Sequence, residues 1–122
     1  QRVSLVRAFA LGAPLLLMDE PFAALDEITR AHMRTVLLSL WERRRPTVVF
    51  TTHSLEEAVL LADRVVVMGI RPGRIISTQI IDLPRPRQPG IEDTDEFTAH
   101  VRHLRAELRD GSAVGPSSGA AG

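Results

Sequence analysis

Lysine is missing from the sequence, and all 15 of its fixed positive charges are arginine. That absence excludes motifs that need a lysine ammonium, among them the GxxxxGK[ST] loop that cradles nucleotide phosphates. Cysteine is also missing, which removes disulfides and thiolate metal sites. No apolar run approaches the roughly 20 residues of a membrane-spanning helix. No signal-peptide pattern is present, and the first residue is Gln. A cytosolic piece, part of something longer, is the expectation. Neither charge sign dominates, since 15 acidic residues balance the arginines. A nucleic-acid or anionic-membrane partner is therefore not expected.

Across 122 residues, 44% are hydrophobic, enough for the core of one modest domain. "QRVSLVRAFALGAP" reads as a mostly buried helix ended by Gly12 and Pro14. "LLLMD" is a short continuous apolar run, the pattern of a central parallel strand. In "DEITRAHMRTVLLSLWERRR", Met33, Val36, Leu37, Leu40 and Trp41 share one helical face. Asp26 and Glu27 lie at the positive end of that helix and Arg43, Arg44 and Arg45 at its negative end, with Pro46 as the stop. "TVVFTTH" is a second buried strand, and "SLEEAVLLAD" opens a short helix with a capping box of Ser54 and Glu57. "RVVVMG" is a third strand, "IRPG" a turn, and "RIISTQIID" a further strand at an edge. This alternation is the grammar of a parallel α/β sheet. Beyond Leu83, "PRPRQPG" predicts no regular structure, and a separate helix follows with Phe97, Val101, Leu104 and Leu108 on one face. The small, uncharged residues after Asp110 predict a disordered tail. The expected divisions are 1–83, 84–110 and 111–122.

In a parallel sheet, ligands bind beyond the carboxyl ends of the strands. Asp19 stands at such an end, with Glu20 beside it and Pro21 stiffening the exit. His53 ends the next predicted strand, and Asp26 begins the helix after "PFAAL". These four polar residues could converge at one rim. Each also fits a plainer role: a solvated turn for the Asp-Glu pair, a helix flank for His53, a helix cap for Asp26. His32, His100 and His103 have no motif context and read as exposed helix residues.

Taken in order, these segments carry a family resemblance that favours the functional reading. "LLLMDE" resembles the Walker B strand of P-loop ATPases, "PFAALD" the D-loop that follows it in ABC-type ATPases, and "TTHSLEEA" their switch-histidine segment. "QRVSLVRAFA" resembles the helix after the ABC signature loop, and "ADRVVVMGIRPGRI" the next strand and hairpin. The resemblance runs unbroken from residue 1 to about 83 and implies the C-terminal part of a P-loop ABC ATPase domain, followed by a C-terminal helix. The phosphate loop, Q-loop and signature are not among these residues.

By this resemblance Asp19 would hold Mg²⁺, directly or through water, and Glu20 would be the catalytic base. His53 would sense the γ-phosphate of ATP, and Asp26 would act on nucleotide across a dimer interface. "IIDLPRPRQPG" and the helix after it resemble the ending of the nitrate, sulfonate and taurine importer ATPases. The implied partners are a second ATPase subunit, integral membrane permease subunits and, through them, a periplasmic or lipoprotein solute-binding protein. The implied location is the cytoplasmic face of a bacterial membrane. A soluble ABC ATPase of repair or translation and a non-catalytic remnant are the alternatives.

Overall fold

The computed structural model describes residues 2–70 and 73–113. It contains two compact units, Gln1–Glu57 and Ala58–Gly122, each built from α/β elements.

The first unit contains helix α1 (Arg2–Ala10), strand β1 (Leu15–Asp19), helix α2 (Glu27–Arg44) and strand β2 (Thr47–Thr51). β1 and β2 pair in parallel, from Leu15 opposite Thr47 to Asp19 opposite Thr51. Parallel neighbours need a long crossover, and the 18-residue α2 supplies it. α1 packs on α2 and gives way at Gly12, whose φ of 69° suits a residue without Cβ.

α2 begins and ends where its residue chemistry dictates. Asp26 is the N-cap, and its side chain accepts from the Thr29 N–H. Arg45 closes the helix in the left-handed conformation, φ 49°, its N–H donating to Trp41 O at 2.7 Å. Its guanidinium lies 5.0 Å from the centroid of the Trp41 ring. Met33 and Leu37 are buried on the expected face, and so is Arg34.

Two burial expectations are corrected. Over residues 6–10, helix α1 is more exposed than expected: Val6 is exposed, and Phe9 is the buried side chain among them. β1 is not covered on both faces. Leu16, Met18, Val48 and Phe50 are half-buried, but Leu15, Leu17 and Val49 on the opposite face are 51%, 73% and 53% exposed. An unbroken apolar run is compatible with double cover, yet among the described residues β1 has only β2 beside it.

Helix α3 (Leu55–Leu61) leads into the second unit, with strands β3 (Arg64–Gly69) and β4 (Arg74–Ile80) and helix α4 (Asp95–Ala113). β3 pairs antiparallel with β4, from Arg64 opposite Ile80 to Gly69 opposite Arg74, which is the hairpin that the resemblance implied. The link between them is too short for a parallel crossover and permits only a hairpin. Arg71 and Pro72 of the expected turn lie outside the described residues.

α4 packs on β3 and β4 and buries Phe97, Val101 and Leu104, while Leu108 sits at the edge of the contact. It runs further than expected. Gly111 to Ala113, assigned to the tail by composition, are helical, and Gly111 lies close against β4. A Cβ there would collide with Ile76 Cδ1. Residues 114–122 of the expected tail lie outside the described residues.

The segment "PRPRQPG" does lack regular structure, but it is tightly held. Arg87 is buried, and its guanidinium donates to the carbonyls of Leu60, Ala62, Leu83 and Pro84 at 2.7–3.1 Å. Arg85 donates to Leu61 O at 2.7 Å and pairs with Asp63 at 3.0 Å. Together the two arginines satisfy the carbonyls left open where α3 ends, the negative pole of its dipole.

Arg87→Met is expected to lower unfolding stability by about 3 kcal/mol, since several buried carbonyls lose a charged donor at once. Urea titration of the chain checks this; a midpoint within error of wild type would contradict the clamp.

Candidate functional site

The candidate rim is the carboxyl end of the two parallel strands. Their register places Asp19 opposite Thr51. The Thr51 hydroxyl donates to Asp19 Oδ1 at 2.6 Å and accepts the Glu20 N–H at 3.0 Å. The same N–H also reaches Thr51 O at 3.0 Å. Glu20 has φ 44°, the left-handed region that side chains other than glycine seldom occupy. Such conformations persist where surrounding bonds over-determine them, and functional sites are where they cluster.

From that conformation Glu20 Oε1 lies 3.0 Å from His53 Nε2. His53 is not part of β2, which ends at Thr51; it sits in the bend before α3, with its side chain 91% exposed. A contact this open adds little stability. Asp19, Glu20 and His53 are thus brought to one rim, as the spacing suggested.

Asp26 is not brought into contact with them. Its Oδ1 accepts the Thr29 N–H at 2.8 Å and its Oδ2 the Thr29 hydroxyl at 3.2 Å. These bonds, the backbone one first and the hydroxyl second, hold its carboxyl below the usual aspartate range.

Glu20 and His53 border an open cleft of about 300 Å³ whose other walls include Phe22, Arg30, Ser54 and Glu57. Arg30 organises the "PFAAL" turn: its guanidinium donates to Phe22 O at 3.3 Å and Leu25 O at 2.7 Å, and pairs with Glu27 at 3.0 Å. Ser54 Oγ accepts the Glu57 N–H at 3.2 Å, which is half of the expected capping box. The other half is absent. The Ser54 N–H goes to Thr52 Oγ1, and the Glu57 carboxylate turns inward to a buried pair with Arg34 at 3.0 Å. This pair fastens the start of α3, and so the bend carrying His53, to α2.

Thr51, Arg30 and the Arg34–Glu57 pair escaped the sequence reading. An arginine on the apolar face of α2 is a signal that a buried acid must exist, but nothing local names Glu57. His100, read as exposed, is largely covered and bonds Asp82 at 2.9 Å.

As a cation site the rim offers the Asp19 carboxylate, since that of Glu20 is turned to His53. Among the described residues no group of three or more His, Asp or Glu gathers to cage a metal. Mg²⁺ is commonly held by one or two carboxylates with waters and substrate phosphates, so Asp19, with Oδ1 engaged by Thr51, fits that style of binding.

Over most of its length the chain is homologous to ABC transporter ATP-binding proteins. It is 53% identical over 110 residues to an uncharacterized ABC transporter ATP-binding protein of Methanocaldococcus jannaschii, covering 90% of this chain and 40% of that one. It is 42% identical over 101 residues to the aliphatic sulfonates import ATP-binding protein SsuB of Bacillus cereus, covering 83% and 40%. With an ATP-binding protein of Brucella abortus it shares 52% identity over 99 residues, covering 81% and 38%. The chain therefore spans about two-fifths of the length of these relatives. No protein-family model matches it. Among the described residues no helix is long and apolar enough to cross a membrane.

The depressed Asp26 carboxyl has a pH signature. A group whose folded pKa lies below its unfolded value, about 3.9 for Asp, stabilises fully above that value and loses its contribution as pH falls through the folded one. The stability difference between wild type and Asp26→Ala should be constant from neutral pH down to about 4 and shrink below it. Denaturation midpoints across pH 2–7 check this, and a difference that widens toward acid would contradict it.

Proposed function

We propose that the chain contributes the hydrolytic edge of an ABC importer ATPase that takes up a small anion of the nitrate, sulfonate or taurine kind. The observation that carries this reading is the 3.0 Å Glu20–His53 contact beside Asp19 at the carboxyl end of the parallel strands. Relatives named for sulfonate import support the solute class.

In this reading Glu20 takes the proton of the attacking water, and His53 orients Glu20 and faces the γ-phosphate of ATP. Asp19 offers a carboxylate to Mg²⁺, which when bound would offset charge on the phosphates. Asp26 contributes through the D-loop turn that it ends, at an interface with a second ATPase subunit. The turn is kept in shape by Arg30 rather than by Asp26, whose oxygens are engaged by Thr29. Permease subunits, and through them a solute-binding protein, would complete the transporter at the cytoplasmic face of a bacterial membrane. The 1–83 stretch carries the chemistry, and the residues beyond it serve packing or regulation.

Three outcomes are expected. The 122-residue chain alone shows neither turnover nor saturable binding with Mg-ATP, because it holds no lysine-bearing phosphate loop; hydrolysis abolished by Glu20→Gln would refute that. Within a complete ATPase domain, Glu20→Gln slows hydrolysis about 10²- to 10⁴-fold, as loss of a general base does, while ATP binding survives. Asp19→Asn instead weakens Mg²⁺-dependent nucleotide retention, because it removes the charge facing the metal. Single-turnover hydrolysis beside binding titrations with and without Mg²⁺ separates the two. Wild-type rates for Glu20→Gln would remove Glu20 as the base.

A further inference from the structure

We infer that Thr51 is a positioning residue, whose single hydroxyl sets both carboxylates of the rim. The inference rests on the proposed ATPase reading for its consequence, but not for its geometry. A hydroxyl has one donor and two acceptor lone pairs. Thr51 spends the donor on Asp19 Oδ1, at 2.6 Å, and one lone pair on the Glu20 N–H, at 3.0 Å. The first bond fixes the Asp19 carboxylate through Oδ1 and leaves Oδ2 as the oxygen to offer a cation. The second helps hold Glu20 at φ 44°, the backbone conformation from which its carboxylate reaches His53. Among the side-chain hydrogen bonds of the described residues, only those of Thr51 join Asp19 and Glu20. The parallel register makes the arrangement possible, since a pair of facing residues on adjacent parallel strands points to the same side.

Valine is the informative replacement. It keeps the β-branched shape and strand preference of threonine and removes only the hydroxyl. Serine keeps the hydroxyl and removes the methyl. Both variants are made in the full chain, isotopically labelled, and in a complete ATPase domain. In the chain, Thr51→Val is expected to move the Asp19 carboxyl ¹³C signal and to speed Glu20 amide exchange about tenfold, while Thr51→Ser stays near wild type. In the complete domain, the Mg²⁺ concentration for half-maximal hydrolysis should rise about tenfold in Thr51→Val, with KM for ATP unchanged, and return to near wild type in Thr51→Ser. If the valine variant does not fold, Thr51→Ala is read against Thr51→Ser in the same way. Val and Ser variants that behave alike overturn the inference. If the complete wild-type domain hydrolyses no ATP, the ATPase reading fails, and the carboxyl signal and amide exchange in the chain still decide the positioning.

Discussion

The register of β1 against β2 is the constraint on which the rim depends. Asp19 faces Thr51 because Leu15 faces Thr47, and every pair between follows. In a strand, a slip of one residue turns each side chain to the opposite face. Such a slip would separate Asp19 from Thr51, cancel the hydroxyl's two bonds and leave the left-handed Glu20 without its brace. The two strands together bring in groups from positions 19, 20 and 51–53, and the long crossover helix between them makes the parallel pairing possible.

A second theme is the use of arginine as an internal donor. Arg30 ties down the turn after β1, Arg34 pairs with Glu57 beneath the bend that carries His53, and Arg87 seals the end of α3. A guanidinium presents several N–H groups in a fixed plane, so one side chain can serve two to four oxygens at once. Lysine could not replace it at these sites with the same geometry. The buried Arg34–Glu57 pair is more a device of alignment than of net stability, because desolvation offsets much of its attraction.

Much of this was legible in the residues. Asp26, Arg45 and Pro46 bound α2 as their chemistry requires, Ser54 caps α3, and the strands around α2 pair in parallel. Glu20 and His53 come within 3.0 Å of each other past the strand ends, whereas Asp26, expected at the same rim, bonds to Thr29 instead. What escaped depends on distance along the chain. Glu57 looked like a capping residue because its local context satisfies that pattern, and its true partner lies 23 residues away. Arg87 sits in a proline-rich stretch that predicts no element, and composition cannot show which carbonyls such a segment will meet. Gly111 reads as a helix end until the approach of Ile76 explains why a glycine is needed within the helix. The burial of β1 was overestimated because an apolar run shows what a strand can bury, not what lies over it.

The bare side of the β1–β2 pair, with Leu15, Leu17 and Val49 turned to water, has a thermal consequence. Contacts between such surfaces are driven by water release, so they weaken on cooling and strengthen with excluded salts such as sulfate. Preparations of this chain should therefore stay dispersed best when cold and in chaotropic or low-salt buffer, and cloud on warming well before the helices melt.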